Sequence, residues 1–145
     1  MGTLKLKEMT QTIYIAGGFR GGWRNYIQKV LKDSNFKILD PLLDKELDSK
    51  GRRKQLSFKE YTEWDKWAIR EWDICFVYAE KTNPGAGYIA EIGYAHGLGK
   101  KVVLVREKNH NYIPDKYLNF IDCMADKKFS SFKKGVKYLK SLSNE

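Results

Sequence analysis

The chain is poor in cysteine and has no long apolar segment. Its 145 residues include two cysteines, Cys75 and Cys123. So few cysteines exclude a disulfide scaffold, and a reducing cytoplasm is the simplest compartment for the chain. The longest apolar runs, residues 74–79 and 102–105, are too short to cross a bilayer, so we expect no membrane partner. The N-terminal residues lack the apolar stretch of a secretory signal, and we expect none.

Neither an internal repeat nor a linker rich in proline, glycine or serine interrupts the chain. Hydrophobic residues make up 42% of the chain and charged residues 31%, proportions that are typical of globular proteins and argue against disorder. A chain of this length usually forms one domain with a substantial core. We therefore expect a single domain over residues 1–145.

Positive charge is in excess, because 27 Lys and Arg residues face 18 Asp and Glu residues, for a net charge of +9. Such an excess can indicate nucleic-acid binding. The lysines are scattered along the chain, however, and the densest cluster, residues 50–54, is interpreted as a solvated loop. Nucleic acid is therefore not an expected partner, although the charge could attract a phosphorylated small molecule.

Short apolar runs alternate with longer amphipathic ones along the whole chain. Alternating strands and helices predict parallel pairing with right-handed crossovers, and uninterrupted apolar strands indicate burial on both faces. The predicted fold is α/β, a three-layer sandwich with a Rossmann- or flavodoxin-like open parallel sheet of about five strands and helices on both faces. We expect strands at 12–17, 36–39, 74–79, 102–105 and, more weakly, 120–124, and helices at 24–35, 58–72, 88–98 and 131–142.

A glycine-rich segment, residues 17–22, follows the first predicted strand. Sheets of this kind bind ligands at the carboxyl ends of their strands. Glycines there allow the backbone to approach a ligand, and the following helix N-terminus could hold an anion. Arg20 between glycines favours binding over a simple turn, although the segment matches no dinucleotide or triphosphate motif. The predicted substrate contacts are Gly17, Gly18, Phe19, Arg20 and Gly21, together with Gly85 and Gly87 in the loop after the third predicted strand.

Two carboxylates are candidates for chemistry near the same edge of the sheet. Glu91 follows a second glycine-containing loop, with Gly85 and Gly87. Asp65 lies on the predicted helix at 58–72, which is rich in aromatic residues and precedes the third strand. Such a pair suits reaction at an anomeric carbon, with one carboxylate attacking and the other managing protons or sugar hydroxyls. Tyr14 on the first strand could orient the nucleophile. An ordinary glutamate in the first turns of a helix remains the alternative for Glu91.

Other common catalytic patterns are missing. His96 and His110 lack companions at metal-ligand spacing, and we expect no metal site. Neither cysteine has a neighbouring base, and no G-x-S-x-G motif is present.

The sequence resembles the nucleoside 2-deoxyribosyltransferase family, whose superfamily includes the 2′-deoxynucleoside 5′-phosphate N-hydrolases. The resemblance covers residues 12–126 and is strongest in residues 87–95, Gly-Tyr-Ile-Ala-Glu-Ile-Gly-Tyr-Ala. It also includes Ile-Tyr-Ile-Ala-Gly at 13–17, Arg-Gly-Gly at 20–22, and Asp65 with Asp73 eight residues later.

This resemblance implies that Glu91 attacks C1′ of the deoxyribose, with Asp65 as the second acid and Tyr14 orienting Glu91. It implies a covalent glycosyl-enzyme formed from a nucleoside or nucleotide. A free nucleobase resolves this intermediate in the transferases, and water does so in the hydrolases. No metal or organic cofactor is implied. A homo-oligomer with a shared active site is implied, in which a neighbouring subunit's loop near residues 118–120, including Asn119, completes the site.

The chain also departs from both subgroups. The transferases carry an aspartate six residues before the nucleophile, where this chain has Gly85. The hydrolases hold phosphate partly with serines, and the matching residues here are Gly18, Gly85 and Leu118, so that only Arg20 of that set is retained. Three functions stay open: a deoxyribosyltransferase or N-glycosidase acting on 2′-deoxynucleosides, a 2′-deoxynucleoside 5′-monophosphate N-hydrolase, and a non-catalytic nucleotide-binding module. Base and sugar preference stay open as well.

A long polar segment, residues 42–57, separates the second strand from the helix that bears Asp65. Long segments without regular structure are often functional lids. We predict that this segment closes over the sugar and excludes water, with a merely solvated loop as the alternative.

Overall fold

Five parallel strands form one sheet in the computed structural model, which describes residues 11–18, 21–41 and 57–143. Their order is β2-β1-β3-β4-β5, so the chain turns to one side after β1 and to the other side afterwards. The gap between β1 and β3 is the topological switch point of this flavodoxin-like order. The strands are β1 (Gln11–Gly17), β2 (Phe36–Leu39), β3 (Ile74–Ala79), β4 (Lys101–Arg106) and β5 (Lys127–Phe129).

The described residues also form five helices, which cover both faces of the sheet. Two of them pack on one face: α1 (Trp23–Val30) and α5 (Phe132–Leu142). Three pack on the other face: α2 (Phe58–Glu71), α3 (Gly87–Gly97) and α4 (Asp115–Asp122). The predicted three-layer α/β sandwich is therefore confirmed. Within the described segments, no helix has the length and apolar character needed to cross a membrane.

The central strand β3 has an uninterrupted apolar sequence because it is covered on both faces. All six of its residues are buried, and they alternate between two cores. Cys75 and Val77 face α2, α3 and α4, whereas Phe76 and Tyr78 face α1 and α5. A parallel strand covered on both faces needs apolar residues at every position.

The predicted fifth strand at 120–124 is wrong. These residues form the end of α4 and the turn after it, and β5 lies at 127–129. Leu118 and Ile121 are both buried because they are three residues apart and share one face of a helix. The true strand begins with two exposed lysines and, among the described strands, pairs only with β4. As an edge strand it carries almost no apolar signal.

The first helix is shorter than the sequence pattern predicts. The first helix ends at Val30 instead of residue 35, because residues 31–35 form a turn in which the Ser34 hydroxyl donates to the Leu31 carbonyl at 2.6 Å.

The predicted lid, apart from Ser57, lies outside the described residues. Ser57 caps α2 by accepting from the Glu60 amide at 3.1 Å, while the Glu60 carboxylate accepts from the Ser57 amide at 3.0 Å. These bonds lower the pKa of Glu60.

Candidate active site

Glu91 and Tyr14 are joined by a short hydrogen bond across the interior. The Tyr14 hydroxyl donates to Glu91 Oε2 at 2.5 Å. Tyr14 is 1% exposed. Its burial, together with the negative charges of Glu91 and Asp65, raises the pKa of Tyr14 far above its ordinary value. The phenol therefore stays protonated and remains a donor to the carboxylate at any physiological pH.

The sheet and α3 place these two side chains together. Tyr14 lies in β1 with its ring on the face that α2 and α3 cover. In α3, Ile92 and Ala95 are fully buried and hold the helix on that face. Glu91 precedes Ile92 and lies at the edge of the buried stripe, partly exposed, where it reaches the strand and lines a cavity shared with α2.

Asp65 and Glu91 line one cavity of about 360 Å³ between α2 and α3. This volume is within the range of small-molecule sites. The α2 residues follow helical spacing, so one face of that helix lines the cavity. Arg70 Nη1 donates to the Tyr94 hydroxyl at 3.1 Å and joins the two helices. The lining residues are Thr62, Asp65, Lys66 and Ile69 from α2 and Gly87, Ala90, Glu91 and Tyr94 from α3.

The turns after β1 and β3 meet through Asn83, which the sequence pattern did not single out. The Gly85 amide donates to Asn83 Oδ1 at 3.0 Å. A Cβ at Gly18 would lie 2.9 Å from the Asn83 carboxamide, and one at Gly85 would lie 3.3 Å from Asn83 Oδ1. Glycine at both positions therefore leaves room for this carboxamide at the switch point. Gly17 has φ +139°, and a Cβ there would lie 2.5 Å from the Tyr78 carbonyl oxygen.

Arg24 is a second residue that carried no signal in the sequence. Its guanidinium, 4% exposed, donates to the carbonyls of Ile15 at 3.2 Å, Gly17 at 2.7 Å and Gly18 at 3.2 Å, and to Asp40 Oδ1 at 2.6 Å. Burial lowers the pKa of Arg24, and the charge of Asp40 opposes that shift. An arginine is seldom buried without a partner, but which acid pairs with it depends on the fold.

The other residues predicted to contact the substrate do not all lie beside the cavity. Phe19 and Arg20 lie outside the described residues. Gly21 is exposed, and a Cβ there would lie 3.9 Å from Glu80 Oε2. A Cβ at Gly87 would lie 4.0 Å from Glu91 Oε1, so Gly87 adjoins the carboxylate.

Asn119 is not among the residues that line the cavity, and the predicted loop at 118–120 belongs to α4. Leu118 is fully buried, whereas Asn119 and Phe120 are exposed. Asn119 Oδ1 accepts from Arg106 Nη2 at 3.5 Å. Within the described part of the chain, no group of three or more His, Cys, Asp or Glu side chains is placed to hold a metal ion.

The fold and the site together define a flavodoxin-like α/β protein with a pair of carboxylates in a cavity beside the switch point. The model of the family described as nucleoside 2-deoxyribosyltransferase like matches residues 10–109, and the chain belongs to this family. The matched range includes Tyr14, Asp65 and Glu91. The resemblance stated above is therefore confirmed.

Solved structures of three proteins share the fold. A conserved protein from Enterococcus faecalis V583 is 17% identical with a TM-score of 0.73, and the match covers 92% of this chain and 99% of that one. The 2-desoxiribosyltransferase from Leishmania mexicana is 20% identical with a TM-score of 0.63, covering 90% and 97%. The CMP N-glycosidase BcmB from Clostridium botulinum is 16% identical with a TM-score of 0.57, covering 90% and 98%. No curated protein sequence matches the chain significantly.

Proposed function

We propose that the chain cleaves the N-glycosidic bond of 2′-deoxynucleosides through a covalent intermediate on Glu91. The observation that carries this proposal is the Tyr14–Glu91 hydrogen bond at 2.5 Å, beside a cavity that Asp65 also lines. Membership of a family of deoxyribosyltransferase-like proteins supports it. Retaining cleavage at an anomeric carbon uses one carboxylate as nucleophile and a second acid nearby.

In the proposed reaction, a carboxylate oxygen of Glu91 attacks C1′ and the C1′–N bond breaks, with its electron pair going to the departing base. The base takes up a proton, and a glycosyl ester of Glu91 remains. The nitrogen of a second base, or water, then attacks C1′ and gives its proton to Asp65 or to solvent. The C1′–O bond to Glu91 breaks, and its electron pair returns to the carboxylate. Tyr14 holds the Glu91 side chain in one orientation, which lowers the entropic cost of attack. Gly87 leaves space for the sugar beside Oε1.

Asp65 has a separate role in this proposal. It lines the cavity without a bond to the Tyr14 hydroxyl, and its charge reaches Tyr14. We assign it to the sugar hydroxyls or to proton transfer with the base. The position six residues before Glu91 is Gly85, so no carboxylate handles the base from that position.

A 2′-deoxynucleoside 5′-monophosphate is the second candidate substrate. The turn after β1 supports it, because Gly18 and the N-terminus of α1 present backbone amides near the switch point. Glu80 beside Gly21 opposes it, because a carboxylate repels a phosphate. We therefore favour the nucleoside.

The test incubates the protein with thymidine or its 5′-monophosphate, with and without adenine, and separates the products by chromatography. Base exchange only with adenine indicates a transferase, and free sugar without adenine indicates an N-glycosidase. Glu91→Gln should lower turnover at least about a thousandfold, since a covalent route has no nucleophile without it. Glu71→Gln, an exposed glutamate of α2, is the matched control. Near-normal turnover in Glu91→Gln would exclude the assignment.

A further inference from the structure

Among the described residues, net positive charge is concentrated in two segments, α1 with the turn after it and β5 with α5. Residues 23–35 and 127–143 contain eight exposed lysines and one acidic residue, Asp33. In contrast, α2, α3 and α4, which include the candidate active site, contain seven carboxylates and four Lys or Arg residues. The lysines of α1 and α5 therefore lie on the face opposite the cavity, and attraction of an anionic substrate to that cavity does not explain them.

Four of these lysines flank the seam between α1 and α5. Lys133, Lys137 and Lys140 are spaced i, i+4 and i+7, so they form one row about 10 Å long on α5. This row lies on the α1 side, because Lys140 shares a polar cavity of about 310 Å³ with Val30 at the end of α1. Lys29 is exposed on α1. We call Lys29, Lys133, Lys137 and Lys140 the lysine face.

One aromatic ring is exposed at the same seam. Tyr26 of α1 is 45% exposed, and its ring centroid lies 5.7 Å from that of Phe132 in α5. Phe132 in turn stacks on Tyr78 at 4.7 Å with an interplanar angle of 24°. The Tyr26 ring is thus supported from the core side and open on the other. An exposed ring bordered by lysines is the arrangement on which unpaired bases stack.

We propose that the lysine face and Tyr26 bind single-stranded nucleic acid, with the lysines contacting phosphates and the ring stacking on a base. Within α1 and α5, Tyr26 is the one large hydrophobic residue that is exposed. A membrane surface would be matched by several aromatic or aliphatic side chains able to insert. The sequence pattern did not predict this partner because the lysines are scattered from residue 29 to residue 140, and only the fold brings them together.

The experiment measures fluorescence anisotropy of a labelled oligothymidylate of about 12 nucleotides, within the site size of single-strand binders. The full chain is titrated over a series of salt concentrations. The lysine-face variant carries Lys133→Glu, Lys137→Glu and Lys140→Glu. The matched control carries Lys59→Glu, Lys108→Glu and Lys116→Glu, which are exposed elsewhere and change the net charge equally. Circular dichroism and thermal denaturation verify that both variants stay folded.

We expect the wild-type protein to bind with a log–log salt slope of about −2 to −3, which corresponds to three or four phosphates at about 0.7 each. The lysine-face variant should bind at least about tenfold more weakly with a flatter slope, and the control should change less than about threefold. Tyr26→Ala should weaken binding at least about fivefold.

Three results would overturn the proposal: no binding at low salt, equal losses in both triple variants, or binding to phosphatidylserine vesicles without binding to the oligonucleotide. None of these readouts depends on turnover, so the proposed function can fail while this inference stands, and the reverse holds as well.

Discussion

At the scale of single residues, the proposed chemistry depends on the neutral phenol of Tyr14, which donates a hydrogen bond to the Glu91 carboxylate inside the protein. Tyr14 and Glu91 are 77 positions apart in the sequence, and the fold brings them together. Burial contributes most to the raised pKa of Tyr14, and the neighbouring carboxylates raise it further. Tyr14 therefore stays protonated and can donate to Glu91 above the pH at which an exposed tyrosine ionises.

The raised pKa of Tyr14 predicts how stability changes in alkali. Above a pH of about 10, ionisation of this tyrosine stabilises the unfolded chain, while the folded chain keeps the tyrosine protonated. The contribution of Tyr14 to the free energy of unfolding is therefore complete below that pH. It decreases as the pH rises, by about 1.4 kcal/mol per pH unit for one proton. Buried Cys75 and Tyr78 also have raised pKa values and add slopes of the same sign.

Tyr14→Phe isolates the contribution of this one residue. Urea denaturation between pH 9 and pH 11 should give a slope for the variant that is flatter by about one proton than that of the wild-type protein. Tyr26→Phe, at an exposed position, is the control and should keep the wild-type slope. Identical slopes for the wild-type protein and Tyr14→Phe would show that Tyr14 ionises in the folded state as it does in the unfolded chain.

At the scale of elements, the turn after β1 is held by a side chain from the helix that follows it. Arg24 donates to three carbonyls of β1 and its turn and pairs with Asp40 after β2. One buried cation thus links the carboxyl ends of two neighbouring strands. The shape of the turn depends on Arg24 as well as on its own glycines.

Arg24→Met should destabilise the fold by about 3–5 kcal/mol, because it leaves the Asp40 carboxylate buried beside an apolar side chain. Arg24→Lys should lose less stability, since it keeps the charge but not the planar set of donors. Chemical denaturation measures both. Lys29→Met on the exposed side of the same helix should stay within about 0.5 kcal/mol. A loss below about 1 kcal/mol in Arg24→Met would contradict the role assigned to this guanidinium.

The contact between the two turns can be tested by a double-mutant cycle. Gly18→Ala places a methyl group 2.9 Å from the Asn83 carboxamide and should cost about 1–3 kcal/mol of stability. Asn83→Ala removes the obstructing group, so the double variant should be more stable than the sum of the single changes predicts. Gly93→Ala, in α3 with open space at its Cβ, is the control. Additive effects would mean that the two turns do not interact through Asn83.

Element by element, sequence patterns worked where apolar residues are continuous or periodic. The strands β1 to β4 and the helices α2, α3 and α5 have such patterns, and their predicted positions agree with the structure to within one residue at each end. The edge strand β5 was missed because two of its three residues are exposed lysines. The meeting of Gly18, Asn83 and Gly85 could not be predicted, because it depends on how closely two loops approach after the sheet has formed.

At the scale of the whole molecule, the sheet separates two surfaces with different charge. The cavity with Glu91 and Asp65 lies in the layer with more acids, and the lysine face lies in the other. The overall charge of +9 could not reveal this division, because lysines that are distant in the sequence become neighbours only across α1 and α5. The expected homo-oligomer stays a prediction, as does the predicted lid.

Mass spectrometry of the intact protein tests the proposed covalent bond between Glu91 and the sugar. A 2′-fluoro-substituted arabinonucleoside slows the second displacement by destabilising its oxocarbenium-like transition state, so the glycosyl-enzyme should accumulate. We expect the intact protein to gain the mass of one fluorinated pentosyl group, with peptide fragmentation placing it on Glu91, and no gain in Glu91→Gln. A turnover-competent protein that never acquires this mass, or that carries it on another residue, would contradict the account.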